Sequence, residues 1–172
     1  LDPLPPIRAA ALRSAAALAP SEFVAVLSSL DPDPHWSVRA ALADILGTLT
    51  PEAGLPRLTS MLNDPDQRVI PSVLRSLVKL KAPSVETILL DRLKADDPVV
   101  RAAAASALGE LRPAQAVQAL ATAYGAGRLD PNYTARAAVL AALANYGAPV
   151  ACPVLRAALA DKDWAVRLRA AL

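Results

Sequence analysis

Apolar residues recur along the chain in a fixed register. Six equivalent positions, called anchors below, are separated by 31, 31, 31, 35 and 31 residues: Arg8, Arg39, Ile70, Arg101, Arg136 and Arg167. Apolar side chains lie one residue before the anchor and three, seven and ten residues after it, which is one stripe of an α-helix. A repeat of this length is typical of a solenoid, in which one helical unit stacks on copies of itself.

A further helix is predicted between successive anchor helices. Prolines that can end one helix and begin the next lie twelve or thirteen residues after five of the anchors: Pro20, Pro51, Pro83, Pro113 and Pro149. A leucine nineteen residues after the anchor and an acid-rich turn follow each proline. We call the helix that begins at the proline the first helix of its repeat and the helix that contains the anchor the second. The sequence therefore predicts eleven helices and no β-strand.

These patterns predict an all-α fold, an α-solenoid (α-α superhelix) of about five two-helix repeats preceded by a half repeat, with a right-handed drift. Residues 1–172 are predicted to form a single array. Because the chain begins with Leu1 and stops at Leu172 inside a repeat, we expect it to be a fragment of a longer protein. Its terminal repeats are expected to expose apolar faces and to fray or self-associate.

Composition narrows the class of partner. Apolar residues make up 54% of the chain and aromatic residues 3%, so the core is predicted to consist of small aliphatic side chains on closely packed helices. The net charge of +2 gives no electrostatic reason to expect nucleic acid or an anionic membrane as partner. Charged residues recur along the chain, so no insertion into a membrane is expected.

Two segments carry a family resemblance. The run from Asp96 to Leu111 and the run from Asp161 to Arg167 resemble HEAT repeats, of the short bacterial kind also found in phycobilin lyase-type proteins. The resemblance implies an α-solenoid whose second helices line a concave face and whose usual work is binding other proteins. The Ala-rich repeats and the closing segment from Trp164 are also similar to the repeat half of bacterial HEAT proteins fused to a cyclophilin-type peptidyl-prolyl isomerase.

No residue pattern indicates catalysis, a cofactor or a metal. Aspartates that recur six residues before the anchors are expected to cap the second helix or to pair with an anchor arginine of the same or the next repeat: Asp2, Asp33, Asp64, Asp130 and Asp161. His35 has no second histidine with which to build a histidine-based metal site. Cys152 is expected to be a small buried side chain, because no histidine is placed to activate it as a nucleophile. We expect this chain not to be an enzyme.

Six residues are candidates for protein binding. Trp36, Tyr133 and Trp164 share the position three residues before the anchor, where they either form an aromatic rim for a ligand or cover the turn of a neighbouring repeat. The four-residue excess between Arg101 and Arg136 is assigned to an elongated turn from Gly125 to Tyr133, with Arg128 and Tyr133 as contacts. A basic pair on the predicted concave face, Arg75 and Lys79, favours an acidic segment of a partner.

Three functions remain open from the sequence. The first is a non-catalytic protein-protein interaction scaffold with an unidentified partner. The second is a substrate-targeting repeat domain of a multidomain enzyme, such as a cyclophilin-type peptidyl-prolyl isomerase. The third, nucleic-acid binding, is disfavoured by the balance of charges. Neither the compartment nor the partner can be read from the residues.

Overall fold

A computed structural model describes residues 2–27 and 31–172. Leu1, the predicted start of a fragment, and Leu30, which opens the first predicted acidic turn, lie outside the described residues. Within the described ranges the chain forms eleven helices and no strand, which confirms the predicted fold class. The helices are α1 Pro5–Leu18, α2 Pro20–Leu27, α3 Trp36–Leu46, α4 Pro51–Met61, α5 Ile70–Lys79, α6 Val85–Arg92, α7 Pro98–Leu111, α8 Ala116–Gly127, α9 Thr134–Ala144, α10 Ala148–Ala158 and α11 Trp164–Ala171.

The helices group into two compact units, Leu1–Pro83 and Ser84–Leu172. In the first unit, α1, α3 and α5 pack side by side in this order, and α2 and α4 pack against them. In the second unit, α7, α9 and α11 do the same, with α6 on α7, α8 on α9, and α10 on α9 and α11. Each unit is therefore a stack of helix pairs held together through its second helices. The single array over residues 1–172 and its superhelical drift stay predictions.

The core occupies most of the predicted apolar positions. The residue before the anchor is at most 7% exposed in five repeats, from Val38 to Val166, whereas Ile7 in the leading half repeat is 48% exposed. The leucine seven residues after the anchor is buried, as at Leu46 and Leu108. The position ten residues after the anchor was predicted to be core, and this is wrong for Leu111, which is 39% exposed, and for Leu18, which is 86% exposed. The helix α1 ends at this residue, so no further turn holds its side chain against a neighbour.

Two glycines set the closest approach between second helices. A Cβ atom added at Gly109 of α7 would lie 2.7 Å from the Cα atom of Ala142 in α9. A Cβ atom added at Gly47, after α3, would lie 2.5 Å from Oγ of Ser76 in α5. Both glycines lie eight residues after their anchors, and the facing residues lie six after theirs. At these two contacts the facing helix leaves no room for a side chain, whereas Ala16 and Val78 stand at the same register position in α1 and α5.

The predicted elongated turn from Gly125 to Tyr133 is wrong. The helices α4, α6 and α10 end 22 residues after their anchors, whereas α8 ends 26 residues after Arg101, at Gly127. Four residues make about one turn of an α-helix. The four additional residues therefore lengthen α8 by about one turn, and each face of the helix stays on the same side. Only residues 128–133 remain in the connection to α9, which begins at Thr134.

Replacing Gly109 by alanine is expected to destabilise the second unit. The new methyl group would force α7 and α9 apart, and overpacking of this kind costs about 1–3 kcal/mol of unfolding free energy. Gly125→Ala is the matched control, because its Cβ would meet no atom within 4 Å and it removes a glycine from a helix. That variant should gain up to about 1 kcal/mol. Urea unfolding followed by circular dichroism measures both, and a Gly109→Ala variant as stable as the Gly125→Ala variant would contradict the close approach.

Candidate functional site

Anchor arginines join consecutive repeats through ion pairs. Nε of Arg8 lies 2.7 Å from Oδ2 of Asp33, and its Nη2 lies 2.8 Å from Oδ1. Arg39 repeats this geometry with Asp64, at 2.7 and 2.8 Å. In each arginine Nη1 donates to two carbonyl oxygens of the turn before its own helix, such as Asp33 O at 2.8 Å from Arg39. The aspartates therefore pair with the arginine of the preceding repeat, and the predicted pairing with an arginine of the same or the next repeat is wrong.

The second unit contains two ion pairs of the same kind with different geometry. Arg101 donates to Asp130 through Nη2. Nε of Arg136 lies 3.4 Å from Oδ2 of Asp161, and the two side chains are 1% and 2% exposed. The hydroxyl of Tyr124 donates to Oδ2 of Asp161 at 2.9 Å. Asp161 thus shares its charge between a guanidinium and a phenol in a buried network.

The pKa values of Asp33, Asp64 and Tyr124 are shifted within these networks. The hydrogen bond from Arg8 holds the pKa of Asp33 below its usual value. Burial raises the pKa of Asp64, but the hydrogen bonds from Arg39 and from the Asp66 amide outweigh it, so the net shift is downward. Burial and the carboxylate of Asp161 raise the pKa of Tyr124 to about 12. These carboxylates are ionised and satisfied at neutral pH, which suits a structural role and leaves no free acid or base among them.

In one repeat, the anchor position and the aspartate position that would pair with it are both occupied by uncharged residues. Ile70 stands where the third arginine would be, and Ala95 stands where its aspartate would be. Both partners of one predicted ion pair are therefore apolar in the sequence. Ile70 is 1% exposed, so its side chain contributes to the core of the first unit instead.

The three aromatic candidates have different surroundings. The guanidinium of Arg68 lies 4.3 Å from the ring centroid of Trp36. The ring of His35 stacks on Trp36, with 6.0 Å between the ring centroids. The contact with Arg68 favours the interpretation that Trp36 covers a neighbouring turn. Trp164 is 68% exposed and Tyr133 is 44% exposed, so both rings are accessible to a partner.

His35 has a role that the sequence did not indicate. Its Nδ1 accepts a hydrogen bond from the amide of Ser37 at 3.3 Å and caps the N-terminus of α3. In α7 and α11 the equivalent cap is an aspartate, Asp97 and Asp163. A histidine in the place of these aspartates was the available signal.

The predicted basic pair is accessible, but one member has a partner. The Arg75 guanidinium lies 3.6 Å from the Asp44 carboxylate, and the two side chains are 69% and 44% exposed. Lys79 lies one turn further along α5 and is exposed. An exposed pair of this kind contributes little to stability, so Arg75 can exchange Asp44 for a carboxylate of a partner.

The connection after α8 presents an apolar residue that sequence reasoning missed. Leu129 is 91% exposed, between Arg128 and Asp130. Nη1 of Arg136 donates to the carbonyl oxygens of Gly127 at 3.0 Å and Asp130 at 2.7 Å, which fixes the backbone on both sides of Leu129. The same register position in the other repeats holds both polar and apolar residues, so the sequence carried no signal for an exposed leucine here: Leu1, Pro32, Asn63, Lys94 and Ala160.

The described residues include no group of three or more histidine, cysteine, aspartate or glutamate side chains that could hold a metal ion. Cys152 is partly buried in α10. In the same part of the chain, no helix has the length and apolar character needed to cross a membrane.

Asp64→Asn is expected to lower stability in a pH-dependent way. The ion pair with Arg39 becomes a weaker hydrogen bond to a neutral amide, at a cost of about 1–2 kcal/mol at pH 7. Because the folded-state pKa of Asp64 lies below its ordinary value of 3.8, the stabilisation is present above that pH and disappears as the pH falls through the folded value.

Urea titrations at pH 7 and at the lowest pH where the protein stays folded measure the difference. The variant and the wild type should converge at low pH. Asp91→Asn, on an exposed position of α6, is the control and should match the wild type at both pH values. A constant difference across the pH range would mean that the carboxylate charge does not matter.

Comparison with known families identifies the repeat. A profile described as HEAT repeats matches residues 1–70, 23–107 and 58–129. A profile described as PBS lyase HEAT-like repeat matches residues 135–161. A search of curated proteins gives no match. The overlapping HEAT matches cover most of the chain and coincide with the stacked helix pairs, and we conclude that the chain belongs to the HEAT-repeat family.

Proposed function

We propose that this chain is a non-catalytic scaffold that binds a protein partner through side chains that interrupt the repeat. Proteins with HEAT repeats generally mediate protein interactions. The observation that carries the proposal is Leu129, an apolar side chain that is 91% exposed on a backbone held from both sides by Arg136. A rigid exposed anchor loses little conformational entropy on binding.

Tyr133 and Arg128 extend this surface. Tyr133 lies four residues after Leu129 and is 44% exposed. Arg128, the residue before Leu129, is also exposed. Tyrosine and arginine are common among the residues that dominate the binding energy of protein interfaces. Together the three side chains form an apolar and cationic contact surface, called the α8–α9 connection below.

A second surface lies on the exposed side of α5. Arg75 and Lys79 supply two positive charges one turn apart, opposed by the single carboxylate of Asp44. The excess charge favours an acidic segment of a partner. The proposal assigns no catalytic, cofactor-binding or metal-binding residue. Self-association through Ile7 and Trp164, which are 48% and 68% exposed, stays a prediction.

The two alternative functions, a targeting domain and nucleic-acid binding, can be distinguished from the scaffold function by observation. A targeting domain of a multidomain enzyme would use the same surfaces to hold a substrate, and the sequence flanking this chain in its gene distinguishes that case. Nucleic-acid binding would instead show an affinity that falls steeply with salt. A DNA titration at low and high salt therefore separates the third function from the other two.

Substitutions on each surface are expected to weaken partner binding without unfolding the chain. Wild-type protein immobilised as bait, with bound proteins quantified by mass spectrometry, is compared with Arg128→Ala/Tyr133→Ala and with Arg75→Glu/Lys79→Glu. Loss of an interface anchor costs more than about 1 kcal/mol, so retention of the specific partner should fall several-fold for each double variant.

Thr87→Ala/Asp91→Ala, on exposed positions of α6, is the matched control and should retain the partner. Circular dichroism spectra establish that all variants are folded. If both double variants retain the partner as the wild type does, recognition lies elsewhere on the chain and the assignment of these surfaces is wrong.

A further inference from the structure

Neighbouring second helices in the first unit contact each other at fixed register positions. The anchor arginine pairs with the aspartate six residues before the next anchor, as Arg39 does with Asp64 through Nε at 2.7 Å and Nη2 at 2.8 Å. The residue after the anchor packs on the residue before the next anchor, as Ala9 of α1 does on Val38 of α3. Each contact therefore joins a defined position of one repeat to a defined position of the repeat that follows it.

Trp36 makes a third contact of this kind. It lies three residues before the anchor of α3, and its ring contacts the guanidinium of Arg68, which lies two residues before the anchor of α5. The ring of Trp36 therefore faces the next repeat along the chain. Together the three contacts identify the positions of a second helix that the following repeat covers.

All three of these positions are exposed on α11, the last helix that the structure describes. Nη1 of Arg167 donates to the carbonyl oxygens of Asp161 at 2.8 Å and Lys162 at 3.1 Å, as in the paired anchor arginines. Its Nε and Nη2 make no hydrogen bond to any residue that the structure describes. Leu168, which follows the anchor, is 51% exposed, and Trp164 is exposed three residues before the anchor. The arginine is thus held by its own turn but has no aspartate.

The complementary positions are exposed at α1 and in the turn before it. Asp2 lies six residues before its anchor, and its Oδ1 accepts a hydrogen bond from the amide of Leu4 at 2.8 Å. The paired aspartates of the first unit accept the amide two residues later in the same way. Asp2 is exposed and forms no ion pair with a described residue. Pro6 and Ile7, two residues and one residue before the anchor, are also exposed.

The exposed faces of α11 and α1 match each other in charge and in apolar character. An arginine without an aspartate lies on one face, and an aspartate without an arginine lies on the other. If α1 of a second copy packs on α11 as α3 packs on α1, three pairs of side chains meet: Arg167 with Asp2, Leu168 with Ile7, and Trp164 with Pro6. A contact between two α11 faces or two α1 faces would leave these charged groups without a partner of opposite sign.

We propose that this chain associates head to tail with a second copy of itself, with α1 of one copy packed on α11 of the other. Asp2 accepts hydrogen bonds from Nε and Nη2 of Arg167, and the apolar residues of both faces are removed from water. The contact continues the stack of second helices from one copy into the next. This inference gives the expected self-association a defined orientation. It goes beyond the proposed scaffold function and does not depend on it.

Charge reversal with rescue in a mixture tests the arrangement. In sedimentation equilibrium, the weight-average mass of the wild type should rise with concentration. Arg167→Glu and Asp2→Arg should each associate about tenfold more weakly or worse, because like charges then face each other. An equimolar mixture of the two variants should associate as the wild type does. In the mixture, the two reversed positions meet each other, and the two unchanged positions meet as before.

Two controls accompany these variants. Arg169→Glu makes the same charge change on α11, but Arg169 lines a depression together with residues of α9, so this variant should associate as the wild type does. Leu168→Asp removes an apolar contact without touching the turn hydrogen bonds of Arg167, and it should weaken association by about tenfold or more. Val99→Asp on α7 is its match, because Val99 is equally exposed, and it should have no effect. Circular dichroism spectra establish that all variants are folded.

Three results would overturn the inference: a wild type that stays monomeric at every concentration, a mixture that associates no better than the separate variants, or an Asp2→Arg variant that associates as the wild type does. The last result would place the contact between two α11 faces. The scaffold function is tested separately, by partner retention on the α8–α9 connection and α5. Loss of the partner in those variants while the wild type is monomeric would make the head-to-tail contact alone wrong.

Discussion

The double engagement of the anchor arginine organises both units. One nitrogen of its guanidinium holds two carbonyl oxygens of the turn before its own helix, and in the first unit the other edge holds the aspartate of the next repeat. That aspartate in turn accepts the backbone amide two residues later, as Asp64 does from Asp66 at 2.9 Å. A single planar cation therefore shapes two turns at once. Since Arg39 and Asp64 are 12% and 6% exposed, either charge would be costly to leave without the other.

This coupling restricts how the repeat can change length. An insertion in the acidic turn would separate the arginine from its carbonyl oxygens and from the aspartate together. An insertion of one helical turn keeps the arginine bonded to the carbonyl oxygens of the turn before its helix. Nη1 of Arg136, for example, lies 2.7 Å from the carbonyl oxygen of Asp130. The insertion instead lengthens the separation of Arg101 and Asp130 along the chain to 29 residues, and the two side chains still pair. The close contact of Gly109 with Ala142 is kept, so the second helices of this unit stay stacked while the first helices α6 and α8 flank a groove.

Much of this fold could be predicted from the sequence, because the period repeats each signal several times. The helices, the buried residue before the anchor and the participation of the aspartates in ion pairs were predicted from residues that recur, whereas the repeat that supplies the partner arginine was predicted wrongly. The errors concern features that occur once or depend on where a helix ends. Leu18 was taken for core because its position is periodic, although α1 ends there. The spacing of the anchors shows that four residues are inserted, but it does not show where. A longer turn and a longer helix were both consistent with it.

The candidate surfaces were harder to predict, because each of them occurs only once in the chain and depends on the path of the backbone. Arg75 looked like a free cation, since sequence spacing does not show that the side chain of Asp44 on the neighbouring helix reaches within 3.6 Å. Leu129 was overlooked because exposure of a leucine depends on the path of the backbone, which Arg136 fixes from a different helix.

Residues at periodic positions satisfy one another, so their charges and apolar faces are used within the stack and offer little to a partner. The insertion in α8 interrupts this arrangement at two points in one unit. It precedes the exposed side chain of Leu129, and it separates Asp130 from Arg101 by 29 residues, whereas the spacing is 25 in the first unit. In this chain, the sites for partners are therefore expected where the register of the repeat is broken.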